Sequence, residues 1–147
     1  MTRGIIEDRL RRFLLLLAML VFLATLAELV LEEHTGETLQ FIPFALCGLG
    51  LITIGWALLR PERRTVLSMR RAMLVVMVGG IFGAGVHLFE NLQFEQEIRP
   101  NAAVGDVMIA TLKGAAPLLA PGILIFGALI ALAATYYHPL LGQREEA

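Results

Sequence analysis

The chain has 147 residues, is 57% hydrophobic and only 17% charged, and has a mean hydropathy of +0.73. That balance excludes a disordered chain and argues against an ordinary water-soluble domain. Twelve Lys and Arg against thirteen Asp and Glu leave a formal charge of −1, with no basic excess for nucleic acid.

Four apolar runs follow one another along the chain. Phe13–Leu31 contains one charge, Glu28, and Phe41–Leu59 contains none. Ala72–Asn91 is uncharged until His87 and Glu90, and Pro117–Tyr137 has no charge at all. Each is about 20 residues, enough to cross roughly 30 Å of hydrocarbon at 1.5 Å per residue. Four such helices in a short soluble protein would leave no amphipathic helix to cover them. The expected fold is therefore all-α, a single integral membrane domain over 1–147. It is a bundle of four transmembrane helices with spans near 13–32, 41–59, 72–91 and 117–137. A cleaved leader ending at Thr25-Leu26-Ala27 is the competing reading of the first run.

Val107–Tyr137 is too long for one straight crossing. Asp106 is suited to cap a short helix running to Lys113, and Gly114 to end it. A short outer-surface or re-entrant helix is expected there, then a break at 114–116, then the fourth span.

The loops set the expected orientation. Ten of the twelve basic residues fall on one side: Arg3, Arg9, Arg11 and Arg12, then Arg60, Arg63, Arg64, Arg70 and Arg71, and finally Arg144. Arg99 and Lys113 fall on the other, beside Glu32, Glu33, Glu37, Glu95, Glu97 and Asp106. The positive-inside rule puts both termini in the cytoplasm, with a bacterial plasma membrane as the expected location.

The ionisable residues inside the spans are the candidate functional groups. Counted from the starts of their runs, Glu28 and His87 lie at similar depth, about 6 Å below the outer interface. Residues three or four apart share a helix face. On the first helix that face carries Ala18, Val21, Thr25, Glu28 and Glu32, and on the third Gly79, Gly83, His87, Glu90 and Asn91. Gly79 and Gly83 form a GxxxG pair, repeated one residue on by Gly80 and Ala84, a spacing that lets helix backbones approach closely. Charges facing lipid are costly, so these polar groups are expected to point into the bundle or a water-filled recess.

Three readings of the cluster stay open. The residues tie helices together, or they form a metal or redox-cofactor site, or they serve proton-linked transport. In the second reading Glu28, Glu32, His87 and Glu90 are the candidate ligands, with His34, Asn91 and Lys113 as supporting polar groups. Imidazole with carboxylate suits Fe, Zn or Mn better than Cu(I). The transport reading lacks any charge deep in the cytoplasmic half of a span. Cys47 is alone, which excludes a disulfide framework or CxxC motif, and it is expected to pack. There is one serine, Ser68, and no GxSxG, P-loop, HExxH or GxGxxG pattern, so no catalytic residue is assigned. The functional expectation is a small multi-pass membrane protein with an outward-facing polar site centred on Glu28 and His87. The alternative is an accessory subunit whose glycine stripes pack against a larger membrane complex. The partners expected are the lipid bilayer and either another membrane protein or further copies of the chain, with no nucleic acid.

Overall fold

The computed structural model describes residues 2–114 and 119–142, and every regular element among them is helical. In chain order these are α1 (Thr2–Leu31), a 3-10 turn (Thr38–Gln40), α2 (Phe41–Leu59), α3 (Arg63–Ile98), α4 (Val104–Lys113), α5 (Leu119–Ala133) and the single turn α6 (Pro139–Gly142). Helices α1, α2 and α3 are long and apolar enough to cross a membrane. Their outward faces carry exposed Leu16, Leu20, Ile52, Val78 and Ile81, as lipid contact requires.

Of the expected four full crossings, three have a helix of that length among the described residues. Helix α5 has 15 residues, which at 1.5 Å each covers roughly 22 Å, short of a bilayer core. Its far end stops at Ala133, and residues 134–137 form turns rather than the end of a span. Pro139 disfavours helical backbone at His138, so the helix does not resume directly after these turns. Tyr137 takes a positive φ of 48°, and Thr135 Oγ1 donates 2.7 Å to the Leu132 carbonyl as the helix closes. The start of the expected span, residues 117 and 118, lies outside the described residues, as does most of the expected break.

Two helices run well past their apolar stretches. Helix α1 extends back to Thr2 through the arginine-rich segment, where Arg11 meets Asp8 at 3.0 Å and Glu7 at 3.8 Å on neighbouring turns. Helix α3 has 36 residues and opens on a capping box in which the Glu62 N–H donates 3.1 Å to Thr65 Oγ1. At its other end, Arg99 pairs with the buried Glu95 one turn back, Nε donating 3.0 Å to Oε2.

Small residues decide how closely the helices pack. The fully buried ring of Phe22 on α1 lies between two glycines: a Cβ on Gly50 of α2 would stand 2.8 Å from it, and one on Gly127 of α5 would stand 3.3 Å away. Leu46 of α2 enters the notch at Gly79 of α3, while Pro121 and Ile125 of α5 occupy the notch at Gly80. The α1 helix packs on α2 and α5, and α3 packs on α2, α4 and α5. As a result α1 and α3 stand on opposite corners. Below Phe22, toward the arginine-rich end, Ile54, Met69, Met73 and Val76 are fully or almost fully buried, and Cys47 packs among the same helices. Buried hydroxyls are satisfied within their own helices: Thr25 donates 2.9 Å to the Val21 carbonyl, and Thr53 donates 2.7 Å to that of Leu49.

The short helix before α5 begins a turn earlier than the capping argument expects. Ala103, in extended backbone, precedes Val104, and Asp106 stands inside the first turn with Lys113 in the last, the arrangement a helix dipole favours. Gly114 follows its last residue as expected. Thr111 is buried, while Val104, Met108, Ile109 and Leu112 are exposed. A Cβ on Gly114 would collide with the Asn91 amide, so α4 returns along the outer end of α3.

Candidate functional site

At the glutamate-rich end the bundle opens into a cavity of about 490 Å³. It lies between the diagonal helices α1 and α3, with the starts of α2 and α5 forming the other two walls. Glu28 and Glu32 enter from α1, and His87 and Glu90 from α3. His34, Glu37 and Gln40 enter from the connection between α1 and α2. Its lining thus holds four carboxylates and two imidazoles, with no Lys or Arg among the described residues. Leu46, Phe82 and Leu124 supply apolar wall deeper in the bundle.

Local sequence explains how the loop reaches the cavity. Gln40 folds back so that its Oε1 accepts from the Gly36 N–H at 2.7 Å and the Glu37 N–H at 3.3 Å. This reciprocal cap fixes the 3-10 turn and delivers Glu37 to the mouth. Glu37 and Gln40 did not stand out as site residues in the sequence, because they lie outside any span. The signal that finds them is the Glu-x-x-Gln spacing at the head of an apolar helix.

All four candidate ligands therefore share one cavity, but they do not share one coordination shell. Among the described residues no three His, Cys, Asp or Glu side chains converge on a point where a metal ion would sit. Zinc and similar ions need ligand atoms at about 2.0–2.2 Å. The nearest pair is His87 Nδ1 and Glu90 Oε2, 3.5 Å apart on successive turns of α3. That is too long for a good hydrogen bond, and His87 Nδ1 is enclosed with no hydrogen-bond partner. The Glu28 side chain makes no ion pair or hydrogen bond within the described residues.

The expected equal depth of Glu28 and His87 is not kept. Phe22 sits level with Gly50 and Gly127, and Leu46 and Pro121 sit level with Gly79 and Gly80. Following that register outward at about 1.5 Å per residue leaves His87 roughly 9 Å, nearly two helical turns, beyond Glu28. The two face the same space from opposite corners at different heights. Of the supporting groups, His34 lines the cavity, and Asn91 is buried beside Gly114 at the α3–α4 contact. Lys113 is exposed at the end of α4 and is not among the lining residues.

The glycine stripe is used inside the chain. Gly79 receives α2, and Gly80 and Gly83 receive α5, so this face is not left open for another protein. Met69 and Met73 are buried in the core, as packing residues rather than ligands.

At the opposite end a second polar group ties the bundle. Arg11 Nη2 donates 3.1 Å to the Tyr137 carbonyl, linking α1 to the end of α5. His138 lies beside it and its Nδ1 accepts 3.3 Å from the Leu140 N–H. Burial and then the Arg11 charge push the His138 pKa below its ordinary value, opposed by Asp8.

No family model matches the chain, and no curated protein or solved structure matches it either.

Proposed function

We propose that the chain is a small multi-pass membrane protein that binds a positively charged ligand in its acidic cavity, from the outer face of the membrane. The observation that carries this reading is the lining itself: Glu28, Glu32, Glu37 and Glu90 in one recess with two imidazoles and, among the described residues, no Lys or Arg. The four carboxylates are exposed to the recess they line, and their summed negative field draws a cation into it. In this reading Glu28 and Glu90 meet the charge and His87 tunes it through Glu90.

The arginine-rich loops support an orientation with both termini in the cytoplasm and the cavity outside, in a bacterial plasma membrane. Helices α4 and α5 together make the fourth passage, entering at the outer surface and leaving near Tyr137. The apolar packing below Phe22 favours binding over passage, because it offers no polar path toward the cytoplasmic end. A bound Fe, Zn or Mn ion is the narrower form of the same reading and requires the side chains to draw together. The accessory-subunit alternative loses the face at Gly79, Gly80 and Gly83, which α2 and α5 fill, and keeps Gly48, Gly55, Gly85 and Gly122, where a Cβ would meet nothing within 4 Å.

Thermal unfolding of the purified protein in mild detergent tests the reading, with cations titrated at constant ionic strength. The set is Mg²⁺, Mn²⁺, Zn²⁺ and an organic ammonium. A saturable rise in Tm with at least one of them, lost in Glu28→Gln, is the expected result. No cation raising Tm, or an equal rise in the variant, removes the proposal.

A further inference from the structure

Resting on that reading, we infer that the ligand is an organic cation with a bulky apolar body rather than a bare metal ion. The first ground is size. A cavity of about 490 Å³ falls in the range that holds drug-sized ligands, roughly 300–1,000 Å³. It has room for on the order of fifteen waters at about 30 Å³ each, far more than one ion and its first shell need.

The second ground is the vertical separation of chemistry. The register of the helices puts Leu46 and Leu124 at the floor, close to the level of Gly79, with Phe82 just above. Glu28 stands close above that floor, near the level of Phe82, and Glu32 and Glu90 lie further out along their helices, toward the mouth. A metal ion would occupy the acidic part and leave the apolar floor wet. An apolar body displaces that water while its charge stays among the carboxylates, so both halves of the cavity are matched.

The third ground is the absence of a shell. Without three converging donors among the described residues a small dication finds no inner coordination there, whereas an organic cation needs only the carboxylates at longer range. The apolar wall also continues outward. Phe82 lines the floor and is exposed on the bundle surface, and a shallow groove beside it shares Val86 and Glu90 with the cavity. A body longer than the cavity extends along that groove.

Equilibrium dialysis of the full chain in mild detergent tests the inference with two ions of the same shape and opposite charge, tetraphenylphosphonium and tetraphenylborate. Mn²⁺ serves as the compact cation. Saturable binding of the phosphonium is expected, about tenfold or more tighter than the borate. Glu28→Gln is expected to weaken it about three- to tenfold at low salt. Because the Glu28 side chain has no partner to lose, that variant is expected to fold, and circular dichroism verifies it. Phe82→Gln is expected to weaken phosphonium binding while leaving any Mn²⁺ binding unchanged. Mn²⁺ bound in a Glu28-dependent way with no saturable phosphonium binding overturns this inference and leaves the cation site standing. Neither cation binding removes both, and phosphonium binding that neither substitution alters places it elsewhere and overturns the inference.

Discussion

Gly80 and Gly83 lie on the same face of α3 and read alike in the sequence, yet the structure gives them different tolerances. A Cβ on Gly80 would stand 2.7 Å from Ile125 Cγ1 and 3.0 Å from the Pro121 carbonyl oxygen, which is backbone and cannot rotate away. A Cβ on Gly83 would meet only Pro121 Cβ at 3.4 Å, an ordinary contact. Gly80→Ala is therefore expected to lower stability by about 1–3 kcal/mol through overpacking. Gly83→Ala is expected to be neutral or slightly stabilising, since alanine is the better helix former by about 1 kcal/mol. Thermal unfolding of the two variants side by side measures the difference, and equal losses would contradict the packing described. At this scale the sequence was informative about faces and silent about partners. Spacing alone put Glu28 and Glu32 on one face and His87 and Glu90 on another, and both faces line the cavity. Depth counted from the first apolar residue of each run differs from the packed register by nearly two turns, about 9 Å. The actual register follows from which side chain fills which glycine notch, as Leu46 does at Gly79, and no pattern within a single helix encodes that.

Between elements, the contact of α1 with the end of α5 carries the clearest dependence on pH. His138 has a pKa lowered by burial and by Arg11, so the folded state holds its proton less firmly than the unfolded chain does. Its contribution to stability is complete above the unfolded value, near 6.5, and is lost as the pH falls through the lower folded value. Protonation also removes the acceptor that Nδ1 offers to the Leu140 N–H. Unfolding measured between pH 8 and pH 5 is expected to show a loss of stability below about pH 6.5 that His138→Gln reduces. A loss of the same size in the variant would assign the effect to other groups. Element boundaries were legible where caps and composition agreed: α2 covers Phe41–Leu59 as expected. They failed where charge pairs prolong a helix past its apolar run, as in α1 and α3, and where α5 gives way to turns at 134–137.

For the whole molecule, the helical character of the described residues and the three helices long and apolar enough to cross a membrane follow from composition and run length alone. The fourth span was overestimated because apolarity continues through residues 134–137 while the helix does not. Orientation rests on the arginines and is open to direct measurement. In a Cys47→Ala background, a cysteine placed by Thr38→Cys is expected to react with a membrane-impermeant maleimide added to intact cells. One placed by Ser68→Cys is expected to react only after the membrane is opened. Both positions are outside the apolar runs, and Ser68 and Thr38 are exposed. The reverse labelling would invert the topology and turn the cavity toward the cytoplasm.

The ring of Phe22, held between Gly50 and Gly127, closes the bundle below the cavity. On the proposed topology that places it in the insulation of an energised membrane. Water in the cavity carries the external potential inward, so the voltage falls mainly across the dry layer from Phe22 to the arginines. That drop amounts to about 2.3 kcal/mol per elementary charge for each 100 mV. A ligand resting above Phe22 has crossed little of this field, so its occupancy follows outside concentration and hardly responds to membrane voltage.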